Sequence, residues 1–429
     1  VLIFSDEYNA QQKTYTLNVK QSFGTLAEQV NNKAFHIPVE VGLLSSDGQD
    51  MLLNINNSHV SNVMSTVLEI TEYEQSFVFT DIKEKPLPSL LRGFSAPVKI
   101  EYNYSNEQLA FLMAQDSDEF NRWNASQQLA INLILLLIED VKSSQPLGVD
   151  DFIINAFKTV LQDKSLDKAL AAQLLTLPAE SYLADQCDVV DVDAIHSARK
   201  FLRKQLATIL EVALEACYHR NVTHDDYVFN AEAMAQRSLK NLCLSYLAEL
   251  ETEKHLQVCY QQFQTANNMT DQLAAVSILV NHECEYRQLS LDAFYGQWQL
   301  DNQVVEKWLA IQASADVPDA LLRVKKLMQH PAFSMSNPNK VRAVIGRFCA
   351  GNAVAFHMED GEGYAFLSDQ VLVLDKTNPQ IAARLLQIMI RWQRYDDKRQ
   401  VLMKQQFKRI LETKPLSKDV FEIASKAIY

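Results

Sequence analysis

The stretch "YSNEQL", residues 104–109, is where the pattern of this chain changes. Up to it, apolar residues recur every second position; after it they recur every third and fourth. Ser105 followed three residues later by Gln108 has the form of a capping box, in which each side chain serves a free amide at a helix start. A helix is therefore predicted to begin at Ser105.

Upstream, "KTYTLNV" places Tyr15, Leu17 and Val19 on one strand face, and "HIPVEVGLL" does the same with Ile37, Val39, Val41 and Leu43. "SSDG", 45–48, is turn chemistry, and "MLLNI" after it is expected to return as a strand. "SFVF", 76–79, and "APVKIEY", 96–102, add further strands, with Pro86, Pro88 and Pro97 at strand starts or edges. Residues 1–104 thus read as a small all-β sandwich that serves as a spacer. The opening "VLIFSDEYN" reads as a strand from its first residue, without a Met, a basic n-region or a signal peptide. The expectation is that the chain begins inside a larger protein and lacks the sandwich's extreme N-terminus.

Downstream, residues 105–429 read as one large all-α domain. "DKALAAQLLTL", "ARKFLRKQLATILEVALEACY" and "AEAMAQRSLKNLCLSYLAELE" carry Leu and Ala stripes at helical spacing. "SNPNKVRAVIGRF" from Ser336 and "TNPQIAARLLQIM" from Thr377 match each other: Asn as N-cap, Pro at the first helical position, then an Arg. That offset lies within the range of HEAT and armadillo helix pairs, whose stacking gives a curved superhelix. The fold class expected is multidomain, a β-sandwich followed by a HEAT/armadillo-like superhelical domain.

A chain of 429 residues exceeds the about 250–300 at which single cores stop growing. Its net charge of −13 argues against nucleic acid, which needs basic surface. The longest apolar run, "LAINLILLLI", 129–138, is too short to span a bilayer. Six cysteines without a CxxC pair point to buried free thiols and a cytoplasmic setting.

Candidate chemistry is sparse. "VNHECEYRQ", 280–288, holds His282-Glu283, the first half of HExxH. That zinc motif needs His at i and i+4 on one helix face, and here the second place is Tyr286, a poor ligand with a pKa of about 10. The stretch reads as an exposed polar segment near a helix end. His219 and His224 are five apart across a break, and "EDGEGY", 359–364, reads as a tight turn rather than a calcium loop. Nothing assembles a nucleophile, a base and an orienting group. Arg342, Gln380 and Arg384 are more promising. If their helices stack, these side chains and the helix N-termini form a patch suited to carboxylates or peptide carbonyls. The opposing possibility is that the two Arg pair with local acids such as those of "MEDGE".

At this point "ANNMTDQLAA" (266–275), "EKWLAIQA" (306–313), "FSMSNPNKVRAVIGRF" (333–348), "AFHMEDGEGYAFL" (355–367) and "RYDDKRQ" (394–400) matter together. They resemble the C-terminal half of the bacterial aminopeptidase N family, thermolysin-like zinc aminopeptidases. "FVFTDIKEKPLPSLLRGFSAPVKIEY" resembles the end of that family's third domain. The resemblance implies a β-sandwich and a helical domain that closes over an active site held in preceding domains. The family's zinc ligands lie in HExxH and a downstream Glu, and its amine-binding motif is GxMEN; neither string occurs in these 429 residues. It therefore implies zinc and catalysis in the full-length enzyme, no catalytic residue or metal in this segment, and Arg342, Gln380 and Arg384 as substrate contacts. Its partners would be peptide substrates and the missing N-terminal and catalytic domains, with no nucleic acid and no membrane. The rival expectation is a non-catalytic helical-repeat module that binds a protein or peptide.

Overall fold

The computed structural model describes residues 1–22, 33–56, 60–223 and 225–428. Among the described residues seven strands come first, β1 (Leu2–Asn9), β2 (Thr14–Gln21), β3 (Ile37–Leu44), β4 (Ser65–Ile70), β5 (Glu74–Phe79), β6 (Leu87–Leu90) and β7 (Ile100–Glu101). They form a four-stranded sheet, order β5-β2-β1-β7, and a three-stranded sheet, order β4-β3-β6. Alternation dictates which face is buried. Tyr15, Leu17 and Val19 of β2 and Val39, Val41 and Leu43 of β3 all point into one core with Leu68, Ile70 and Phe79. The described elements after β7 are helical, as the change of period predicts.

Two expected strands are corrected. "MLLNI" returns from the turn at Gly48 (φ +83°) but makes only isolated bridges, Leu44 with Asp50, Leu53 with Val63 and Ile55 with Phe79. The ladder breaks where the Asp50 carboxylate is drawn to Arg92 and Ser117. Of "APVKIEY", only Ile100 and Glu101 pair, parallel to β1. Pro97 lacks the amide to begin earlier. Strands β4 and β6 carried too weak an alternation to be read.

The chain falls into two compact units. The first comprises Val1–Leu133, Gly148–Pro178 and Ala231–Leu242, so the sandwich and the first helices belong together. Arg92 explains this. Its guanidinium is buried, with 6% of the side chain exposed. It donates to Ser89 Oγ (2.8 Å), to Asp50 (2.6 Å) and to Asp116 (3.1 Å), which follows the helix Asn106–Gln115. Asn121 Nδ2 donates to the same Ser89 (2.7 Å), and Tyr104 to the Pro88 carbonyl (2.8 Å). Gly42 makes room: a Cβ there would stand 2.1 Å from Arg92 Cζ. Leu91, Gly93 and Phe94 have φ of 63°, 59° and 52°, left-handed backbone unfavourable for Leu and Phe. The strain persists because the buried ion network fixes Arg92 between them. The helix starts with the predicted capping box, Ser105 Oγ accepting from Gln108 N and Gln108 Oε1 from Ser105 N.

The second unit comprises Ile134–Leu147, Ala179–Asn230 and Cys243–Tyr429. Its helices begin at side-chain caps, Asp191, Thr252, Asn268, Asp301, Asn337, Asn378 and Asp396 among them. Their inner faces share one core that includes Val305, Leu309, Val344, Ile345, Phe348, Tyr364, Leu385 and Leu386. Arg399 pins this unit much as Arg92 pins the other: it donates to Asp193 (2.6 Å), Asp396 (2.8 Å) and the His357 carbonyl (2.8 Å). His357 is buried against Tyr395, and desolvation pushes its pKa down to about 3. All six cysteines are thiols; Cys217, Cys243, Cys259 and Cys349 are buried, while Cys187 and Cys284 are only half-buried. Among the described residues no helix is long and apolar enough to cross a membrane.

Arg92→Met is expected to lower stability by about 3–5 kcal/mol, because Asp116 stays buried without its counter-charge. Lys20→Met, which breaks the exposed Lys20–Glu74 pair, should leave it nearly unchanged. Urea unfolding of the two variants side by side checks this; equal effects would refute the role given to Arg92.

Candidate functional site

The half-motif at His282 does not form a metal site. Glu283 is engaged by Arg287 (2.7 Å) and Arg323 (2.8 Å), which neutralise it. Tyr286, in the place of the second His, is buried, stacks on Tyr260 and donates its hydroxyl to Glu253. His282 is half-buried rather than exposed, and desolvation lowers its pKa. These residues do not fit zinc. His224 lies outside the described residues, as does His59. Of "EDGEGY", Glu359–Gly361 is the turn expected, with Gly361 at φ +75°, and Glu362–Tyr364 begin the helix Glu362–Asp375, where a Cβ at Gly363 would stand 2.1 Å from the Phe356 carbonyl oxygen.

A grouping that the sequence did not reveal is Glu211, Glu215 and His255, whose ligand atoms lie within 4.8 Å of one another. Glu215 accepts from His255 Nε2 (2.8 Å) and from the Lys254 ammonium, both of which hold its pKa low. A cation would have to displace that lysine. The two acids share a helix face at i and i+4, but His255 is distant in sequence, so no spacing rule could have found it.

Two pockets of the second unit differ in charge. The first, of about 340 Å³, is lined by residues that include Glu180, His196, Lys200, Arg203, Glu249 and Asp316. Its charges are matched in pairs. His196 sits between Glu180 (2.9 Å) and Asp316 (3.5 Å), Lys200 reaches Asp316 (2.8 Å), and Arg203 meets Glu249 (2.7 Å). The carboxylates of Asp316 and Glu180 push the His196 pKa up to about 9, and His196 in turn holds Asp316 far below the usual carboxylate range. Such pairs join the pocket's own helices and offset the charges they contain.

The second pocket, of about 300 Å³, is lined by Arg342, Gly346, Arg347, Ala350, Ile381, Arg384, Leu385 and Ile388. Two of the three residues singled out from sequence therefore meet there. The helices are started by the predicted caps: Asn337 Oδ1 accepts from Asn339 N and Lys340 N, and Asn378 Oδ1 from Ile381 N, with Pro338 and Pro379 next in line. Those side chains occupy the amides of Asn339, Lys340 and Ile381, which were expected to face a ligand. The helices meet further along, where Gly346 faces Leu385. Gln380 is exposed near the start of its helix and is not among the lining residues.

The acids of "MEDGE" do not cover these arginines. Glu359 pairs with Lys398 (2.6 Å), Glu362 with Lys325 (3.8 Å), and Asp360 accepts from the Glu362 amide. Arg342 donates to the neutral Asn339 (2.8 Å). The side chains of Arg347 and Arg384 have no hydrogen-bond or ion-pair partner among the described residues.

Arg347 was missed by sequence reasoning for a geometric reason. In an α-helix, residues five apart stand about 140° apart around the axis. Arg342–Gly346 is instead a π-helical turn, in which the Arg347 amide bonds to the Arg342 carbonyl. This wider turn carries Arg347 back towards the side of Arg342. A run of Ala, Val, Ile and Gly gives no sign of it in sequence.

Residues 106–429 match the family model of a domain of unknown function described as ARM repeats, DUF3458_C, and residues 1–103 that of a domain of unknown function with an Ig-like fold, DUF3458. Aminopeptidase N of Escherichia coli is 38% identical over 428 residues, covering all of this chain and 49% of that protein. Aminopeptidase N of Haemophilus influenzae is 37% identical, over 100% of this chain and 48% of its own. Among solved structures, Legionella pneumophila aminopeptidase A in complex with aspartic acid superposes with a TM-score of 0.81 at 34% identity, covering 100% of this chain and 48% of that one. The chain spans about half the length of the curated relatives it matches.

The first pocket yields a prediction about pH. His196 titrates near 6.5 when unfolded and at about 9 when folded. Its pairing thus stabilises in full below about pH 6.5, and the contribution is lost as the pH rises through about 9. The Asp316 share, with its pKa lowered, persists above the ordinary carboxylate value and is lost only in acid. The stability gap between the protein and His196→Gln should therefore be wide at about pH 6 and nearly closed at about pH 10, by urea midpoints. A gap unchanged with pH would refute it.

Proposed function

We propose, from the premise that the chain belongs to the DUF3458–DUF3458_C family and is homologous to the C-terminal half of aminopeptidase N, that it is the non-catalytic half of a zinc aminopeptidase. In this role residues 1–104 are a spacer and residues 105–429 a lid that closes the chamber in which N-terminal residues are released from peptides. Zinc and the groups that activate water belong to the other half. The enzyme works in the cytoplasm on peptide substrates.

The observation that carries the proposal is that Arg342 and Arg384 line one pocket. They come from two helices whose caps and prolines repeat one pattern, and neither is neutralised by an acid. Cations so placed suit peptide carbonyls and carboxylates. Gln380, one turn before Arg384 on the same helix, would reach a peptide that extends past the pocket. The lid's task is positioning: it holds the part of the substrate beyond the reacting bond and excludes oversized chains.

In the full-length enzyme, Arg384→Ala should lower kcat/KM for peptides of three or more residues by about tenfold, mainly through KM, as the loss of a charge-assisted contact implies. Single-residue amides, too short to reach Arg384, should be cleaved as before. Steady-state kinetics on both substrate types check this, and unchanged values with several peptides would remove the assignment.

A further inference from the structure

The arginine-lined pocket is unlike the rest of the chain. The protein carries a net charge of −13, yet three guanidinium groups and no acid line this pocket. The other polar pocket shows what the fold does with cations elsewhere: Lys200, Arg203 and His196 each meet a carboxylate. Here Arg342 meets only Asn339, and the side chains of Arg347 and Arg384 have no partner among the described residues. Three exposed guanidinium groups gathered without an acid make a local positive potential that attracts an anion. The remaining wall is apolar, made of Ile381, Leu385, Ile388 and Ala350. Its volume, about 300 Å³, is at the lower limit of small-molecule pockets, so it admits about one residue rather than a folded partner.

We infer that this pocket binds the C-terminal carboxylate of a short peptide, with Arg347 as a specificity-determining residue and the apolar wall holding the terminal side chain. The inference rests on the proposed substrate role of Arg342 and Arg384 and adds to it the group recognised and the third cation. The carboxylate has two oxygens and accepts from two guanidinium forks at once. A terminal amide has one acceptor and no charge. An enzyme with this lid would prefer free peptide acids short enough to reach from the reacting bond to the pocket.

The test uses the 429-residue chain and the N-acetylated dipeptide Ac-Ala-Leu as free acid and as amide, titrated calorimetrically at low salt. Acetylation blocks the amine, so binding is read apart from cleavage. The acid should bind about tenfold tighter than the amide, as expected when charge-assisted bonds are lost. Arg347→Ala and Arg384→Ala should each abolish that difference, Arg347→Lys should keep part of it, and added salt should reduce it. Circular dichroism confirms that each variant is folded. Equal binding of acid and amide would overturn the inference, as would binding of inorganic phosphate as tight as that of the acid. Ac-Glu-Leu-amide binding as tightly as the acid would overturn the terminal assignment in favour of an acidic side chain. If acid and amide bind alike while Arg384→Ala still impairs the full-length enzyme, this inference fails and the proposed function stands; the reverse pattern removes the proposed function alone.

Discussion

Burial of the Arg92 guanidinium constrains everything near it. A charge removed from water has to find its counter-charges, and Asp50 comes from the sandwich while Asp116 follows the helix Asn106–Gln115. Meeting that demand breaks the strand after the Ser45–Gly48 turn, forces left-handed backbone on Leu91 and Phe94, and leaves no space for a side chain at Gly42. The sandwich and the helix Asn106–Gln115 are held together by this one polar joint as much as by apolar contact. Such a joint gives geometric definition more than net stability, since its desolvation offsets much of its attraction.

The second unit applies the same rule twice, with opposite results. Around His196 and Arg203, cations and carboxylates from several helices neutralise one another, and the cleft between them is cement. Around Arg384 the counter-charges are absent among the described residues and the floor is apolar. Both clefts are similar in size, so volume does not separate a binding site from a structural gap. Charge balance does. The Glu211, Glu215 and His255 grouping falls with the first kind, because Lys254 already supplies its positive charge.

Much of this was legible in sequence wherever the signal was local. The strand faces of β2 and β3, the capping box at Ser105 and the Asn-Pro helix starts depend on residues a few positions apart, and each stands as read. What escaped depends on distant partners. "MLLNI" has strand composition, but its fate is decided by Asp50 and Arg92, 42 residues apart. Arg342 and Arg384 were found because two segments look alike, and the family resemblance pointed to the same pair. Arg347 was not found, because a rule built on 3.6 residues per turn sends it to the wrong side. The helix amides were over-read: an Asn cap that announces a helix also consumes the donors that a ligand would need.

The π turn at Arg342–Gly346 makes the third arginine a matter of local winding. Bulges of this kind correspond to one residue more than a regular helix needs, and excising one restores the ordinary winding. Each residue of α-helix advances the azimuth by about 100°. A deletion anywhere in the Ala343–Ile345 run would set the two arginines four apart, about 40° around a regular helix, and leave both at the cleft, whereas relaxing the turn at unchanged length would swing one about 140° from the other. Loss of the wide turn without loss of a residue is thus the change by which a related lid would give up a gripping finger.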